Sequence, residues 1–287
     1  MALRYAINVP NFGDFADPRT FAELAARAEA AGWDGLLVWD HLVYDKTTPR
    51  EIGDPWVLLT AAALATERIR LGTAVTPVAR RRPQQLAREV ATLDRLSGGR
   101  MVLGVGLGGP IPDEYGSFGE PTDPRELAGR LDEGLAALDL LWSGETVSYR
   151  GEYVTLDEVR FLPPPVQRPR VPIWVGGQWP NKAPMRRAAR YDGVIPILSD
   201  VPGTPPRPED VRALREFIGG QRDPALSGHP FDVVCGGATP PEPGAARRLL
   251  DALAEAGMTW WQERMPAGDR LERADPMLRR VDAGPPR

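Results

Sequence analysis

The stretch LLVWDHLVYD, residues 36–45, runs four apolar residues straight into Asp40 and His41. A histidine at the end of a buried strand can hydrogen-bond a ligand and exchange a proton near neutral pH, and a neighbouring carboxylate can set its tautomer or raise its pKa. Adjacent strand residues point to opposite faces, so Asp40 and His41 either share a local kink or serve different tasks. The plainer alternative is an Asp40 that caps the loop beside a surface histidine. Two glycine clusters are the next candidates. GVGLGG (104–109) has a G-x-G-x-G spacing, but no capped helix opens on its third glycine and Pro110 follows directly, unlike a dinucleotide fingerprint. Its glycines would instead allow close backbone approach to a planar ligand. VGGQWPNK (175–182) lies between a strand and a helix, either as an anion site of exposed N–H groups or as a plain tight turn.

Other chemistries find no support. His41 and His229 stand alone, HExxH is absent, and no metal site is expected. There is no Walker lysine and no G-x-S-x-G elbow. Asp113-Glu114 reads as solvated loop charge, and ARRRP (79–83) as a solvated face or, alternatively, a patch that greets a polyanion. Trp174, Trp260 and Trp261 read as core or pocket wall. The chain is 42% apolar and 26% charged, as expected of a soluble globular protein. Its net charge of −4 is spread without a basic stripe, so no nucleic-acid partner is expected. No apolar run approaches the ~20 residues that span a bilayer. The opening MALRYAINVP is too short and too quickly polar for a secretory signal, and the lone Cys235 makes a reducing cytoplasm the default.

The elements that must position these residues alternate. Short apolar strands are predicted at 4–9, 36–39, 69–75, 101–106, 172–177, 193–198, 231–237 and 258–263. Helices are predicted from Pro18, Pro55 and Pro83, over 125–142, 184–190, 209–218 and 243–256, and over 268–280. Eight strands each followed by a helix make a (β/α)8 TIM barrel the economical α/β reading, in a single domain of residues 1–287. Insertion segments at about 109–124, 145–170 and 199–230 follow strands four and six or interrupt the second half; the middle one reads as a hairpin turning at Arg150-Gly151. In such a barrel function sits where strands end.

The strings GWDGLLVWDH, DPWVLLTAAALATERIRLGTAV, RRPQQLAREVATLDRLSGGRMVLGVGLG and PPPVQRPRVPIWVGG, with RRAARYDGVIP, together resemble the bacterial luciferase-like family of flavin- and deazaflavin-dependent oxidoreductases. The resemblance spans about residues 5–265 and implies a luciferase-like barrel with the cofactor ring across its C-terminal mouth. It implies that Asp40 and His41 lie beside that ring, with the histidine polarising it or shuttling a proton. It places Ala74, Val75 and Thr76 at a strand-three bulge where a non-proline cis peptide often backs the ring. Gly106, Leu107 and Gly108 would run near the ring and its side chain, and Gly176, Gly177 and Gln178 would form the phosphate-binding turn. Phe12, Trp261 and Glu263, at strand ends, are expected to line the substrate pocket. Members that oxidise sugar phosphates carry a glutamate where this chain has Gly109 and a tryptophan where it has Asp45, which speaks against that substrate class.

The resemblance therefore implies hydride transfer to or from a small organic substrate with coenzyme F420. The rival is an FMN monooxygenase using dioxygen. A flavin or F420 reductase would be the partner that supplies reducing equivalents. A third reading is a barrel that binds flavin without catalysis. The family also implies a homodimer, through the helices after strands two and three.

Overall fold

In the computed structural model, residues 2–199, 203–226, 228–265 and 271–286 are described. Eight parallel strands close on themselves: β1 (Arg4–Val9), β2 (Gly35–Val38), β3 (Arg70–Thr73) with its short continuation β4 (Thr76–Pro77), β5 (Met101–Gly106), β8 (Ile173–Gln178), β9 (Gly193–Ile197), β10 (Asp232–Gly237) and β11 (Trp260–Glu263). β1 pairs with both β2 and β11, and β3 pairs with β5, which completes the ring. The chain is a (β/α)8 TIM barrel. Among the described residues no helix is long and apolar enough to cross a membrane.

The helices follow the sequence signals. α1 (Pro18–Ala30), α2 (Pro55–Leu64) and α5 (Pro124–Trp142) each begin with an Asp-Pro pair. The aspartate accepts hydrogen bonds from amides of the first turn while proline supplies a φ already suited to the helix. The remaining helices are α3 (Pro83–Leu96), α4 (Ile111–Glu114), α6 (Lys182–Ala188), α7 (Pro208–Gly219), α8 (Pro243–Glu255) and α9 (Ala274–Asp282). The strands are buried on both faces, and alternation divides them. Ala6, Leu37, Val102, Trp174, Ile195, Val234 and Trp260 fill the bore, and Ile7, Leu36, Val38, Leu103, Val175 and Val194 join the layer under the helices. Trp174 and Trp260 meet edge to face at 5.4 Å near the N-terminal ends of their strands and fill that end of the bore.

Several elements differ from expectation. The third strand is not continuous over 69–75: between the Gly72–Val102 and Thr76–Val105 pairs it uses one residue more than β5, which makes a bulge. The 109–124 segment folds into α4 and a 3-10 turn at Gly116–Phe118. The 145–170 segment holds the expected antiparallel hairpin, β6 (Thr146–Arg150) with β7 (Thr155–Arg160). Within 199–230, α7 is the helix between β9 and β10. The last helix starts at Ala274, and residues 268–270 of its expected span lie outside the described residues.

Candidate active site at the barrel mouth

Alternation continues past the end of β2 and separates Asp40 from His41. Leu37 faces the bore and Val38 the helices. Trp39 turns inward again, where its Nε1–H donates to Asn8 Oδ1 at 2.7 Å. Asp40 turns outward into two arginines. Its carboxylate accepts from the Arg80 guanidinium at 2.6 Å and from Arg81 at 2.9 and 3.1 Å, and its side chain has no exposed surface. His41 returns to the bore side, its ring 5.7 Å from Trp39 and 4.9 Å from Tyr44, with 15% of its side chain exposed. The two neighbours thus do different work. His41 faces the mouth; Asp40 anchors the strand end from behind.

The group that touches His41 is Glu114, the last residue of α4. Its Oε1 lies 3.1 Å from His41 Nδ1. The same carboxylate accepts from the amides of Leu42, Val43 and Tyr44 at 3.0, 3.1 and 2.6 Å, and from Arg80. Burial would raise the pKa of Glu114, but the hydrogen bonds from His41 and from the Leu42 and Tyr44 amides outweigh it and hold the group at about 2. A carboxylate only accepts, so the proton of a neutral His41 is assigned to Nδ1, leaving the Nε2 lone pair without a protein partner among the described residues. Arg80 ties the two acids together. The sequence expectation of solvated charge at Asp113-Glu114 is corrected for Glu114, whose side chain is fully buried, and that for Arg80 and Arg81 fails because both guanidinia are spent on these carboxylates. Only Asp113 behaves as expected, near the exposed Lys46 at 3.6 Å.

The glycine clusters owe their composition to protein atoms. A Cβ on Gly104 would strike the Thr73 carbonyl, and one on Gly106 or Gly176 would come within 2.9 or 2.8 Å of the Val75 side chain. Gly108, at φ +71, abuts Pro77. Alternate glycines of β5 therefore receive the bulged third strand, and the expected clearance for a planar ligand is taken by Val75 at Gly106. The bulge, whose Ala74–Val75 peptide is cis, packs two consecutive side chains against the bore cluster. Val75 lies across Gly106 and Gly176 and forms an apolar wall at the mouth. Thr76 pairs in register with Val105, which faces the helices, and its buried hydroxyl has no hydrogen-bond partner among the described residues. The Leu107 carbonyl accepts from the Tyr115 hydroxyl at 2.5 Å. Gly177 makes room for Pro184, and past Gln178 the Lys182 ammonium sits 3.7 Å from the Trp179 ring centroid.

Of the three expected pocket residues only Phe12 lies by His41, with ring centroids 6.3 Å apart. Trp261 and Glu263 are corrected. Both have the outward parity of β11. Trp261 is fully buried in the layer under the helices, and its Nε1–H donates to Glu263 at 2.9 Å. Glu263 also receives Thr239 and pairs with Arg280 of α9. The β11 residues that enter the bore are Gln262, which receives the Asn8 amide, and Arg264 beyond it. Asn8, Trp39 and Arg264 were absent from the sequence expectation, and Arg80 and Glu114 were expected only as solvated charge. Counting alternate residues from Ala6, Leu37 and Trp260 finds Asn8, Trp39, Gln262 and Arg264. No such count reaches Glu114, because α4 is an irregular insertion.

The groups left available suit a flat, polar-edged heterocycle. His41 Nε2 offers one unspent hydrogen-bonding atom, and Val75 offers an apolar surface over Gly106 and Gly176. The luciferase-like monooxygenase family model matches residues 5–278. The F420-dependent glucose-6-phosphate dehydrogenase of Amycolatopsis mediterranei is 34% identical over 177 residues, 60% of this chain and 51% of that protein. The chain thus spans about half the length of such curated relatives. The coenzyme F420-dependent tetrahydromethanopterin reductase from Methanopyrus kandleri superposes with a TM-score of 0.74 at 19% identity, covering 99% of this chain and 97% of that one. The oxygenating constituent of 3,6-diketocamphane monooxygenase from Pseudomonas putida, solved with FMN, gives 0.74 at 18%, covering 99% and 97%. At these identities the two superpositions bear on the fold. With the family model matching nearly its whole length, the chain belongs to the luciferase-like monooxygenase family.

Proposed function

We propose that the protein is an F420-dependent oxidoreductase that moves a hydride to or from a small organic substrate at the barrel mouth. The observation that carries this reading is His41, held by Glu114 through Nδ1 and directed into the mouth with Nε2 unspent. When bound, a deazaflavin supplies a two-electron hydride carrier. His41 Nε2 takes up or returns the proton that accompanies the electron pair, and the ionised Glu114 stabilises the imidazolium while it exists. Asp40, with Arg80 and Arg81, fixes the strand end from which His41 projects. Val75 would bear on the ring's face, and Asp40's neighbour His41, Leu107 and the 106–108 backbone would border it. Gly176, Gly177 and Gln178, with Lys182, would hold the cofactor's phosphate. The F420 dependence of the Amycolatopsis relative favours this cofactor over FMN.

The FMN monooxygenase reading shares the same mouth and differs in the cofactor. Absorbance titration of the purified protein with each cofactor separates the two, since tight FMN binding without F420 binding refutes the first. With F420 bound, His41→Ala should bind within a few-fold of wild type and lose roughly 10²–10⁴ in turnover. A His41→Ala variant that turns over normally removes the assignment. Binding without turnover on a broad substrate panel would make the barrel a flavin carrier. We further propose a homodimer through α2 and α3, where a groove of about 420 Å³ is lined by Trp56, Val57, Leu93 and Leu96. Val57 and Leu96 are exposed there.

A further inference from the structure

The arginines around the barrel mouth differ in what they meet. Arg80 and Arg81 are neutralised by Asp40 and Glu114. Arg264, two residues past Gln262 on the inward parity of β11, pairs with no carboxylate among the described residues. Among the described residues its side chain makes one polar contact, a 3.4 Å approach to Gln262 Oε1, and its Nε–H is buried without a partner. The side chain lies inside the bore, because a Cβ on inward-facing Gly236 would sit 3.1 Å from Arg264 Nε. Burial lowers the guanidinium's pKa to about 10, so it stays charged at neutral pH. A buried guanidinium N–H without an acceptor is costly, and a ligand anion would complete the pair.

We propose that Arg264 recognises a carboxylate of the substrate, so that the protein acts on small organic acids. The inference rests on the reading of this mouth as the substrate-binding end. The belt around Arg264 suits that task. Gln262 Oε1 accepts from Asn8, whose Oδ1 in turn accepts from Trp39 Nε1–H, so the neighbouring acceptors are shared with other donors and give Arg264 only the 3.4 Å contact. Trp39 then packs against His41. A bound carboxylate would satisfy the free Nε–H and a terminal N–H together, in the two-pronged geometry that arginine favours. The reacting carbon would extend from that anchor along the belt toward His41.

The test needs no cofactor. Calorimetric titration of the apoprotein with benzoate and with the uncharged isostere benzamide should show at least a tenfold preference for benzoate. Arg264→Gln should abolish that preference, and Arg264→Lys, which keeps charge without the fork, should retain only part of it. Cofactor affinity of both variants, read by absorbance, should stay within about twofold of wild type. Equal binding of benzoate and benzamide by wild type overturns the proposal. So does an Arg264→Gln variant that keeps the preference, or one that loses cofactor affinity instead, which would assign the arginine to the cofactor. If Arg264→Gln fails to fold, the Arg264→Lys ratio decides by the same criterion. Failure of F420 to bind while the benzoate preference stands would refute the cofactor reading alone.

Discussion

Replacing Glu114 with glutamine tests the central polar network at one atom. The carboxylate receives five donors: His41 Nδ1, three successive amides and Arg80. A carboxamide presents an NH2 where donors already point, so part of the shell is left unpaired in a buried place. The size follows from the pKa. A fall from 4.5 in the unfolded chain to about 2 in the folded one corresponds to about 3 kcal/mol of stability at neutral pH. Because folding depresses this pKa, the contribution is complete above about pH 4.5 and is lost as the pH falls toward 2. By pH 3 about 2 kcal/mol of it is gone, and a protonated Glu114 then resembles the glutamine. Urea unfolding followed by tryptophan fluorescence at pH 7, 4.5 and 3 should therefore show a deficit in Glu114→Gln of roughly 2–3 kcal/mol at pH 7 that shrinks steadily on acidification. A deficit that is absent at pH 7, or that stays constant to pH 3, refutes the claim that the ionised carboxylate organises the 41–44 loop.

Three further predictions probe the surroundings. Gly106→Ala would set a methyl 2.9 Å from Val75, an overpacking cost of about 1–3 kcal/mol that Val75→Ala should largely relieve; thermal unfolding of the two single variants and the double variant checks this, and strict additivity would contradict the packing described. Glu263→Gln should lower stability by about 1–2 kcal/mol through its lost pairing with Arg280, while leaving KM within twofold, whereas a large KM change with intact stability would return Glu263 to the pocket. Val57→Glu on the exposed α2 surface should convert a dimer to monomer by sedimentation velocity, and a wild-type protein that is already monomeric would dismiss the α2–α3 interface.

Much of the fold was legible because its signals are local. Asp17-Pro18, Asp54-Pro55 and Asp123-Pro124 mark helix starts through hydrogen bonds made within three residues, and Gly32 ends α1 with φ +86. The strands show as short apolar runs because both of their faces are buried. The site was legible only in part, for two reasons. Facing is a matter of parity, and choosing Trp261 and Glu263 over Gln262 and Arg264 was a slip of one residue, which moves a side chain to the other face. Burial of charge depends on partners distant in sequence. Glu114 and Arg80 are 34 residues apart, and nothing near either one in the chain announces that they meet.

Parity also explains why an acid and a histidine stand side by side without sharing a proton. A strand end that presents His41 inward must present Asp40 outward, and outward at this point means the start of α3, where Arg80 and Arg81 emerge from the bulged third strand. Asp40 therefore cannot orient the imidazole it adjoins. The carboxylate that does so must come from beyond the mouth, and α4 supplies it by folding the 109–124 segment back over the 41–44 amides. Arg80 reaches both acids, so the bulge, the strand end and the insertion are held in one charge-balanced unit that leaves His41 Nε2 unspent toward the bore. Across β1 from it, Arg264 has the opposite character, a charge with no carboxylate partner among the described residues. One polar belt thus joins a proton-handling end with its counter-ion built in to a charged end that lacks one, and a substrate oriented by the second is presented to the first.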